Sequence, residues 1–109
     1  MANMFSFLAD VGNHEQRQVA NTEHAPDFII DTAAVSDGVR PFETGIMHPA
    51  YNNGKWVIVE GYNTREEALA GHAKWDVCMF PELPDQLVDC GNAMISSFMG
   101  ASGMVFKRQ

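Results

Sequence analysis

The sequence predicts an α+β fold: a three-stranded antiparallel β-meander that carries one main α-helix, with short helices near the termini. Three observations lead to this prediction. Residues 28–62 contain three runs of β-branched and aromatic residues, separated by turn signals. Beyond residue 62 the apolar residues take up the spacing of an amphipathic helix. The chain has 109 residues, which is enough for one small domain with its own core.

The three predicted strands follow one another through short turns. The first covers residues 28–35, and the Asp37-Gly38 turn signal comes after it. The second covers residues 40–48. Asn53-Gly54 tolerates the positive φ of a type I′ turn and leads into the third strand, residues 55–62. Strands joined in this way form a meander, and the following helix crosses one of its faces.

The third predicted strand is apolar on both sides. Strict alternation places Val57 and Val59 on one face, and Trp56 and Tyr62 on the other. A strand with two apolar faces is usually central in its sheet. Glu60 alternates onto the face of Trp56 and Tyr62, so we expect that face to be only partly buried.

The next segment predicts a helix over residues 64–80, ended by Pro81. Thr64 and Glu67 fit a capping box, in which the hydroxyl accepts from the Glu67 amide and the carboxylate reaches back. Gly71 costs about 1 kcal/mol of helix stability relative to alanine, so we expect it to allow the helix to approach the sheet closely. The stripe that faces the sheet comprises Ala68, Gly71, His72, Trp75, Cys78 and Met79.

The remaining chain is divided around this core. Residues 1–26 are predicted to form a short helix over residues 3–11, followed by a polar linker or mobile arm. Residues 27–80 make up the meander and the main helix. Residues 81–109 form a C-terminal extension with a second short helix near residues 92–99 and an apolar tail that could add a short strand.

Charge and cysteine content restrict the class of protein. With 7 basic and 14 acidic residues the net charge is −7, and the basic residues are scattered, so we expect no direct contact with nucleic acid. No apolar run is long enough to cross a bilayer, and the N-terminus lacks the basic region of a secretory signal. Cys78 and Cys90 are expected to be reduced structural thiols, although a bond between them stays open.

The sequence contains no recognisable catalytic or metal-binding motif. The histidines lack the spacings of known metal sites; they are His14, His24, His48 and His72. A cysteine nucleophile would need Cys78 or Cys90 beside His48 or His72. Glu66 and Glu67 could be read as a pair of catalytic carboxylates, but they stand in the first turn of the predicted helix. The helix dipole favours acidic side chains there, and we prefer this structural explanation. We therefore predict neither a cofactor nor an enzyme.

Surplus apolar residues predict contacts with other subunits. Ala73 and Val77 lie on the side of the main helix away from its sheet-facing stripe, where polar residues are normal. Both ends of the chain are apolar as well. The predicted interface residues are Phe5, Phe7, Leu8, Ala73, Val77, Met104, Val105 and Phe106.

Residues 51–75 fit the motif YNNGxWVxVExYxTxEEAxxGHxxW, and residues 43–49 fit an ET-x-x-x-HP pattern before it. The matching residues are Glu43, Thr44, His48, Pro49, Tyr51, Asn52, Gly54, Trp56, Val57, Glu60, Tyr62, Thr64, Glu66, Glu67, Ala68, Gly71, His72 and Trp75. In these residues the chain resembles a group of small, mostly uncharacterised proteins encoded by tailed bacteriophages and prophages. The resemblance implies a phage origin, but it brings no established activity.

Three functional hypotheses remain. The first is a non-enzymatic virion protein of the capsid, connector or tail, which contacts itself or other phage structural proteins and passes through the host cytoplasm before assembly. The second is a soluble phage factor that binds and inhibits a host or defence protein. The third, a small hydrolase or metal-dependent enzyme, would require His48, His72 and a carboxylate to converge in a pocket.

Overall fold

The structure is a computed structural model that describes residues 17–36, 38–92 and 103–109. Within these ranges the elements are β1 (Gln18–Ala25), β2 (Phe28–Ala34), β3 (Phe42–Met47), β4 (Val57–Tyr62), α1 (Arg65–Met79), β5 (Gln86–Val88) and β6 (Val105–Lys107). The first four strands form one antiparallel sheet in chain order, and β5 and β6 form a separate antiparallel ribbon. The α+β class is therefore confirmed. The predicted helix over residues 3–11 and most of that near residues 92–99 lie outside the described residues.

The sheet contains one strand, β1, that the sequence analysis did not predict. β1 lies in the part of residues 1–26 that was assigned to a polar linker or arm, and that assignment is wrong for this stretch. Within the described residues β1 is an edge strand, so its mixed polar sequence can face solvent. Its pairing with β2 includes a side-chain hydrogen bond of 2.8 Å from Asn21 to Asp31. The described sheet has four strands rather than three.

The connection from β3 to β4 contains the predicted turn but is longer than a hairpin loop. Asn52, Asn53 and Gly54 all have positive φ, and the Lys55 amide donates to the Asn52 carbonyl at 3.0 Å. This is the left-handed turn expected from Asn-Gly. It lies inside residues 48–56, so it shapes a loop and does not join the strands directly.

A bulge interrupts the pairing of β3 with β4. Thr44 pairs with Glu60, but its neighbour Gly45 pairs with Ile58, so Val59 is the extra residue. The alternation of β4 changes phase at this point. Side chains that follow the bulge therefore lie on the opposite face from the one that strict alternation predicts.

The phase change moves two polar side chains under the helix. Glu60 and Tyr62 share a face with Val57, and both contact residues of α1. The prediction that Tyr62 lies on the face of Trp56 is wrong, because period-2 alternation assumes an unbroken ladder. The prediction of a central strand is also wrong, since β4 is the other edge of the described sheet.

α1 begins and ends as predicted. Thr64 is its N-cap and accepts a hydrogen bond of 3.1 Å from the Glu67 amide, while the Glu67 carboxylate accepts one of 3.0 Å from the Asn63 amide. The buried positions are Ala68, Gly71, His72 and Met79, and Trp75 is half-buried. Cys78 is exposed, so the prediction that it belongs to the sheet-facing stripe is wrong. It stands about 100° around the helix from Met79, beyond the edge of the buried stripe.

The hydrophobic core fills the space between the sheet, α1 and the ribbon of β5 and β6. From the ribbon, Leu87 is buried in it and Phe106 packs against it. The apolar tail thus adds the short strand that was expected. The buried cluster consists of Phe28, Ile30, Ile46, Tyr51, Val57, Val59, Met79 and Leu87.

Candidate functional site

A continuous series of hydrogen bonds crosses the sheet beneath α1. Its side chains come from all four strands of the main sheet and from the helix. We call this set the helix–sheet network, and it comprises Thr22, Thr32, Thr44, Glu60, Tyr62, His72, Lys74 and Trp75. Strand register explains much of it, because Thr32 pairs with Thr44 and Thr44 with Glu60. The bulge in β4 completes it by turning Glu60 and Tyr62 toward the helix.

His72 joins α1 to the first two strands. Its side chain has both ring nitrogens within hydrogen-bond distance of hydroxyls: Nε2 lies 2.9 Å from Thr22 Oγ1, and Nδ1 lies 2.7 Å from Thr32 Oγ1. The residue is only 7% exposed. Burial lowers the pKa of His72 below its ordinary value, and the nearby carboxylates of Asp76 and Asp31 oppose that shift. His72 is therefore neutral at neutral pH.

The middle of the network consists of hydroxyl groups. Thr32 and Thr44 are both 0% exposed, and their Oγ1 atoms lie 2.6 Å apart. Thr44 Oγ1 is also 2.9 Å from the phenol oxygen of Tyr62. Burial raises the pKa of Tyr62 to about 12, and the charge of Glu60 adds to that effect. The phenol thus keeps its proton and acts only as a hydrogen-bonding group.

Glu60 closes the network at the other edge of the sheet. A single carboxylate oxygen, Oε1, accepts from Lys74 Nζ at 2.6 Å, Trp75 Nε1 at 2.9 Å and Tyr62 Oη at 3.1 Å. Burial alone would raise the pKa of Glu60, but the hydrogen bonds from Lys74 and Trp75 outweigh it, and the pKa lies below its ordinary value. Glu60 is a carboxylate at neutral pH, anchored to two side chains of α1.

These contacts define what the network can do chemically. Each of its ionisable groups is engaged by a partner on another element, and the phenol and the imidazole are held in their neutral forms. Reaction with a substrate would require one of them to leave its partner, which costs about 1–3 kcal/mol for a buried group left unpaired. The arrangement is suited to holding α1 on the sheet.

A second group of side chains forms a row of five rings at the end of the sheet. Its members in order are Phe80, His24, Phe28, His48 and Tyr51, with centroid separations of 4.7, 4.7, 4.7 and 5.7 Å. Phe80 and His24 are stacked with an angle of 3° between their planes. The row packs the loop after β3 and the end of α1 against the turn between β1 and β2.

The histidines of this row are held locally. His24 Nε2 lies 2.6 Å from Asp76 Oδ1. His48 Nδ1 accepts from the Ala50 amide at 2.9 Å, so His48 shapes its own loop. Burial lowers the pKa of His48, partly opposed by Asp27. The hydrogen bonds of His48 and His72 involve different residues, and no group of three or more metal-binding side chains occurs among the described residues.

The two cysteines, both in the described part of the chain, are free thiols and do not bond to each other. Cys78 lies on the surface of α1. Cys90 borders an open depression of about 420 Å³, whose lining residues are Val39, Arg40, Glu60, Gly61, Cys90, Gly91 and Asn92. Although Cys90 reaches the surface, burial around its sulfur raises the pKa of the thiol. It therefore lacks the lowered pKa of an activated nucleophile.

The predicted interface residues of the helix lie together on the surface. Ala73 is exposed and Val77 is 77% exposed, on the side of α1 away from the sheet. Leu69 extends this surface by one helical turn and is 46% exposed. We call Leu69, Ala73 and Val77 the outer stripe. The sequence analysis missed Leu69, although its spacing from Ala73 and Val77 would have indicated it.

The predicted interface residues of the C-terminus lie on opposite faces of the ribbon of β5 and β6. Met104 and Val105 are exposed beside Val88, and these three residues form the ribbon patch. Phe106 points the other way and packs against the core, so it is a structural residue in the described fold. Phe5, Phe7 and Leu8 lie outside the described residues.

No family model, curated protein or solved structure matches this chain. No helix in the described residues is long and apolar enough to span a membrane. The resemblance to small phage proteins stays a prediction. The outer stripe, the ribbon patch and the helix–sheet network are the features on which a function can be proposed.

Proposed function

We propose that this chain is a non-enzymatic bacteriophage protein that acts by binding other proteins, as a head, connector or tail component of the virion. The observation that carries the proposal is the outer stripe on α1. The resemblance of residues 51–75 to small phage proteins supports the phage origin. The partner is a second copy of the chain or another structural protein of the particle.

The outer stripe differs from the usual surface of a helix. A helix that packs one face on a sheet is normally polar on the other. Here Leu69 and Val77 are exposed two helical turns apart on α1, with the small side chain of Ala73 between them. Burying a large apolar side chain contributes about 1.5–3 kcal/mol, so this surface favours a protein partner over water.

The ribbon patch offers a second apolar contact. Val88 and Val105 are partners in the antiparallel pairing of β5 with β6, and Met104 is next to them. Two separate apolar surfaces suit a protein that is built into an assembly, where each subunit has several neighbours. An adaptable methionine is common in such contacts.

The polar side chains of the fold support a non-enzymatic role. The groups most suited to acid–base chemistry, His72, Tyr62 and Glu60, are engaged in holding the helix on the sheet. His48 is engaged in its loop and in the row of rings. These side chains stabilise the fold that presents the binding surface, and this role accounts for their positions without a substrate.

The decisive experiment is mass spectrometry of gradient-purified phage particles, with measurement of the copy number of this chain per particle. We expect the chain at a fixed stoichiometry, and the copy number would indicate the symmetry of its site. Absence from particles together with abundance in infected cells would contradict the virion role. Pull-down from those cells would then test the alternative, a soluble factor that inhibits a host or defence protein.

The outer stripe can be tested with a matched pair of substitutions. Val77→Glu places a charge in the stripe, and Val39→Glu places the same charge at another exposed valine, outside both patches. We expect the Val77 variant to lose incorporation into particles at least tenfold, while the Val39 variant is incorporated like the wild type. Equal incorporation of both variants, with circular dichroism unchanged, would remove the outer stripe from the proposal.

A further inference from the structure

We propose that the helix–sheet network is a one-way relay of hydrogen bonds, whose direction is set at Glu60 and which holds His72 at the far end in the Nδ1–H tautomer. This inference is independent of the proposed function. It rests on the number of hydrogens that each member of the network can donate. The reasoning begins at Glu60, where the direction of every hydrogen bond is known.

At Glu60 the partners can only donate. The Lys74 ammonium and the Trp75 indole N–H have no acceptor, so Glu60 Oε1 accepts from both. An oxygen that already accepts two such bonds is a carboxylate or carbonyl oxygen. The Tyr62 phenol, 3.1 Å from the same atom, must therefore donate to it as well.

The direction then passes from hydroxyl to hydroxyl. Tyr62 has one hydrogen and directs it to Glu60, so in its contact with Thr44 the phenol oxygen accepts and Thr44 donates. Thr44 also has one hydrogen, now used. It therefore accepts from Thr32, whose Oγ1 lies 2.6 Å away. The hydrogen of each hydroxyl points toward Glu60.

The last step assigns the imidazole. Thr32 has directed its only hydrogen to Thr44, so it can only accept from His72 Nδ1, at 2.7 Å. Nδ1 therefore carries the proton of the neutral ring. Nε2 keeps its lone pair and accepts from Thr22, whose Oγ1 lies 2.9 Å away. An imidazole free of such constraints can populate both tautomers.

The relay determines where His72 can take up a proton. Nε2 carries the lone pair of the neutral ring, so it is the atom that can take up a proton. It faces Thr22 of β1, whose hydroxyl can rotate and accept a hydrogen bond from a protonated Nε2. The charged groups near the ring are Asp31 of β2 and Asp76 of α1. A proton on Nε2 leaves the bond to Thr32 intact, so protonation acts on the contact between α1 and the edge strand.

The test is NMR spectroscopy of the full chain with ¹⁵N-labelled histidine at pH 8, because ring-nitrogen shifts distinguish the tautomers. We expect the Nδ1–H form of His72 in at least about tenfold excess in the wild type, since the Nε2–H form would place two acceptors, Nδ1 and the Thr32 hydroxyl oxygen, face to face with no hydrogen between them. Tyr62→Phe removes the hydroxyl that links Glu60 to Thr44 and so fixes the direction of the Thr44 hydrogen bond. Thr44 can then donate to Thr32, and the excess should fall to about threefold or less. A wild-type His72 in the Nε2–H form would overturn the proposal.

Matched variants separate the relay from general loss of packing. Tyr51→Phe removes the other buried phenol hydroxyl, which donates to the Pro84 carbonyl outside the network, and should leave the tautomer of His72 as in the wild type. Thr44→Val should lower the excess of the Nδ1–H form of His72. Thr44→Ser keeps the hydroxyl and should keep the excess at its wild-type value. If Tyr62→Phe does not fold, the Thr44 pair gives the same information. An unchanged tautomer in folded Tyr62→Phe or Thr44→Val would refute a relay through these hydroxyls.

Discussion

Thr32 and Thr44 illustrate how a small domain can bury polar side chains at little cost. Both are fully buried, but each hydroxyl is within hydrogen-bond distance of two partners, so neither leaves an unpaired group in the interior. Valine in place of either threonine would fill similar space. Threonine instead provides a defined set of partners, which specifies how α1 is placed on the sheet.

Gly71 allows α1 to approach Tyr62 of the sheet closely. A Cβ atom at this position would lie 2.2 Å from Tyr62 Oη. We expect Gly71→Ala to lower the free energy of unfolding by about 1–3 kcal/mol because of overpacking, even though alanine is the better helix former. Urea denaturation would measure the change.

A neighbouring position provides the control for this substitution. Ala70 is exposed on the same helix, and Ala70→Gly should cost about 1 kcal/mol through helix propensity alone. If propensity also governed position 71, Gly71→Ala would stabilise the protein by a similar amount. A stabilised Gly71→Ala variant would therefore contradict the close contact with Tyr62.

The lowered pKa values of His72 and His48 predict a loss of stability in mild acid. In the unfolded chain each imidazole binds a proton near its ordinary pKa of 6.5, whereas burial in the folded chain delays protonation to lower pH. In that window the unfolded state binds more protons, so the free energy of unfolding falls as pH drops from 8 through 6.5 to 5.5. Urea midpoints at these pH values would record the fall.

Histidine variants identify the source of the pH dependence. His72→Gln and His48→Gln should each reduce the difference between the midpoints at pH 8 and pH 5.5, and the double variant should reduce it most. The pH is kept at 5.5 or above so that carboxylates contribute little. A pH dependence that is unchanged in the double variant would assign it to other groups.

Among the elements, α1 has ends that are defined locally. Its N-cap and capping box use Thr64, Glu67 and the Asn63 amide, and its last residue precedes Phe80 and Pro81. Its inner face is defined by tertiary contacts with each strand of the main sheet. The helix therefore combines a start that is encoded by its local sequence with a position that only the sheet provides.

Removal of the cap should weaken the whole domain. We expect Thr64→Ala to lower the free energy of unfolding by about 1 kcal/mol, because the Glu67 amide loses its acceptor. Chemical denaturation would measure the effect. Thr64→Ser keeps the hydroxyl and should stay within about 0.3 kcal/mol of the wild type. Equal losses for alanine and serine would show that the methyl group of Thr64 matters more than its cap.

For the whole molecule, net charge and apolar surface act in opposite directions on self-association. The chain carries a net charge of −7, so two copies repel each other, while the outer stripe and the ribbon patch favour contact. Salt screens the repulsion: the Debye length falls from about 10 Å at 0.1 M to about 3 Å at 1 M. Burial of apolar surface is not weakened in this way.

If the partner on the outer stripe is a second copy, association should increase with salt. We expect the average mass in sedimentation equilibrium to be higher at 1 M than at 0.1 M NaCl for the wild type and for Val39→Glu. Val77→Glu should show a smaller increase, because the added charge must be buried in the contact. A mass that falls with salt would indicate that ion pairs, and not the outer stripe, hold the copies together.

The sequence by itself determined the features that depend on near neighbours in the chain. The N-cap at Thr64, the end of α1 before Pro81 and the left-handed turn at Asn53-Gly54 were all predicted, because capping, proline sterics and positive φ act over a few residues. The strands of residues 28–62 were predicted from composition and period. The position of Gly71 against the sheet was also expected, although not its partner.

Only the tertiary structure decided the features that depend on pairing between distant segments. β1 is polar and gains its structure from β2, and the bulge at Val59 exists only in the register of β4 against β3. That bulge turns Glu60 and Tyr62 under the helix and so creates the helix–sheet network. No local pattern encodes it, because a shift of one residue in register reverses the faces of a strand while leaving the sequence the same.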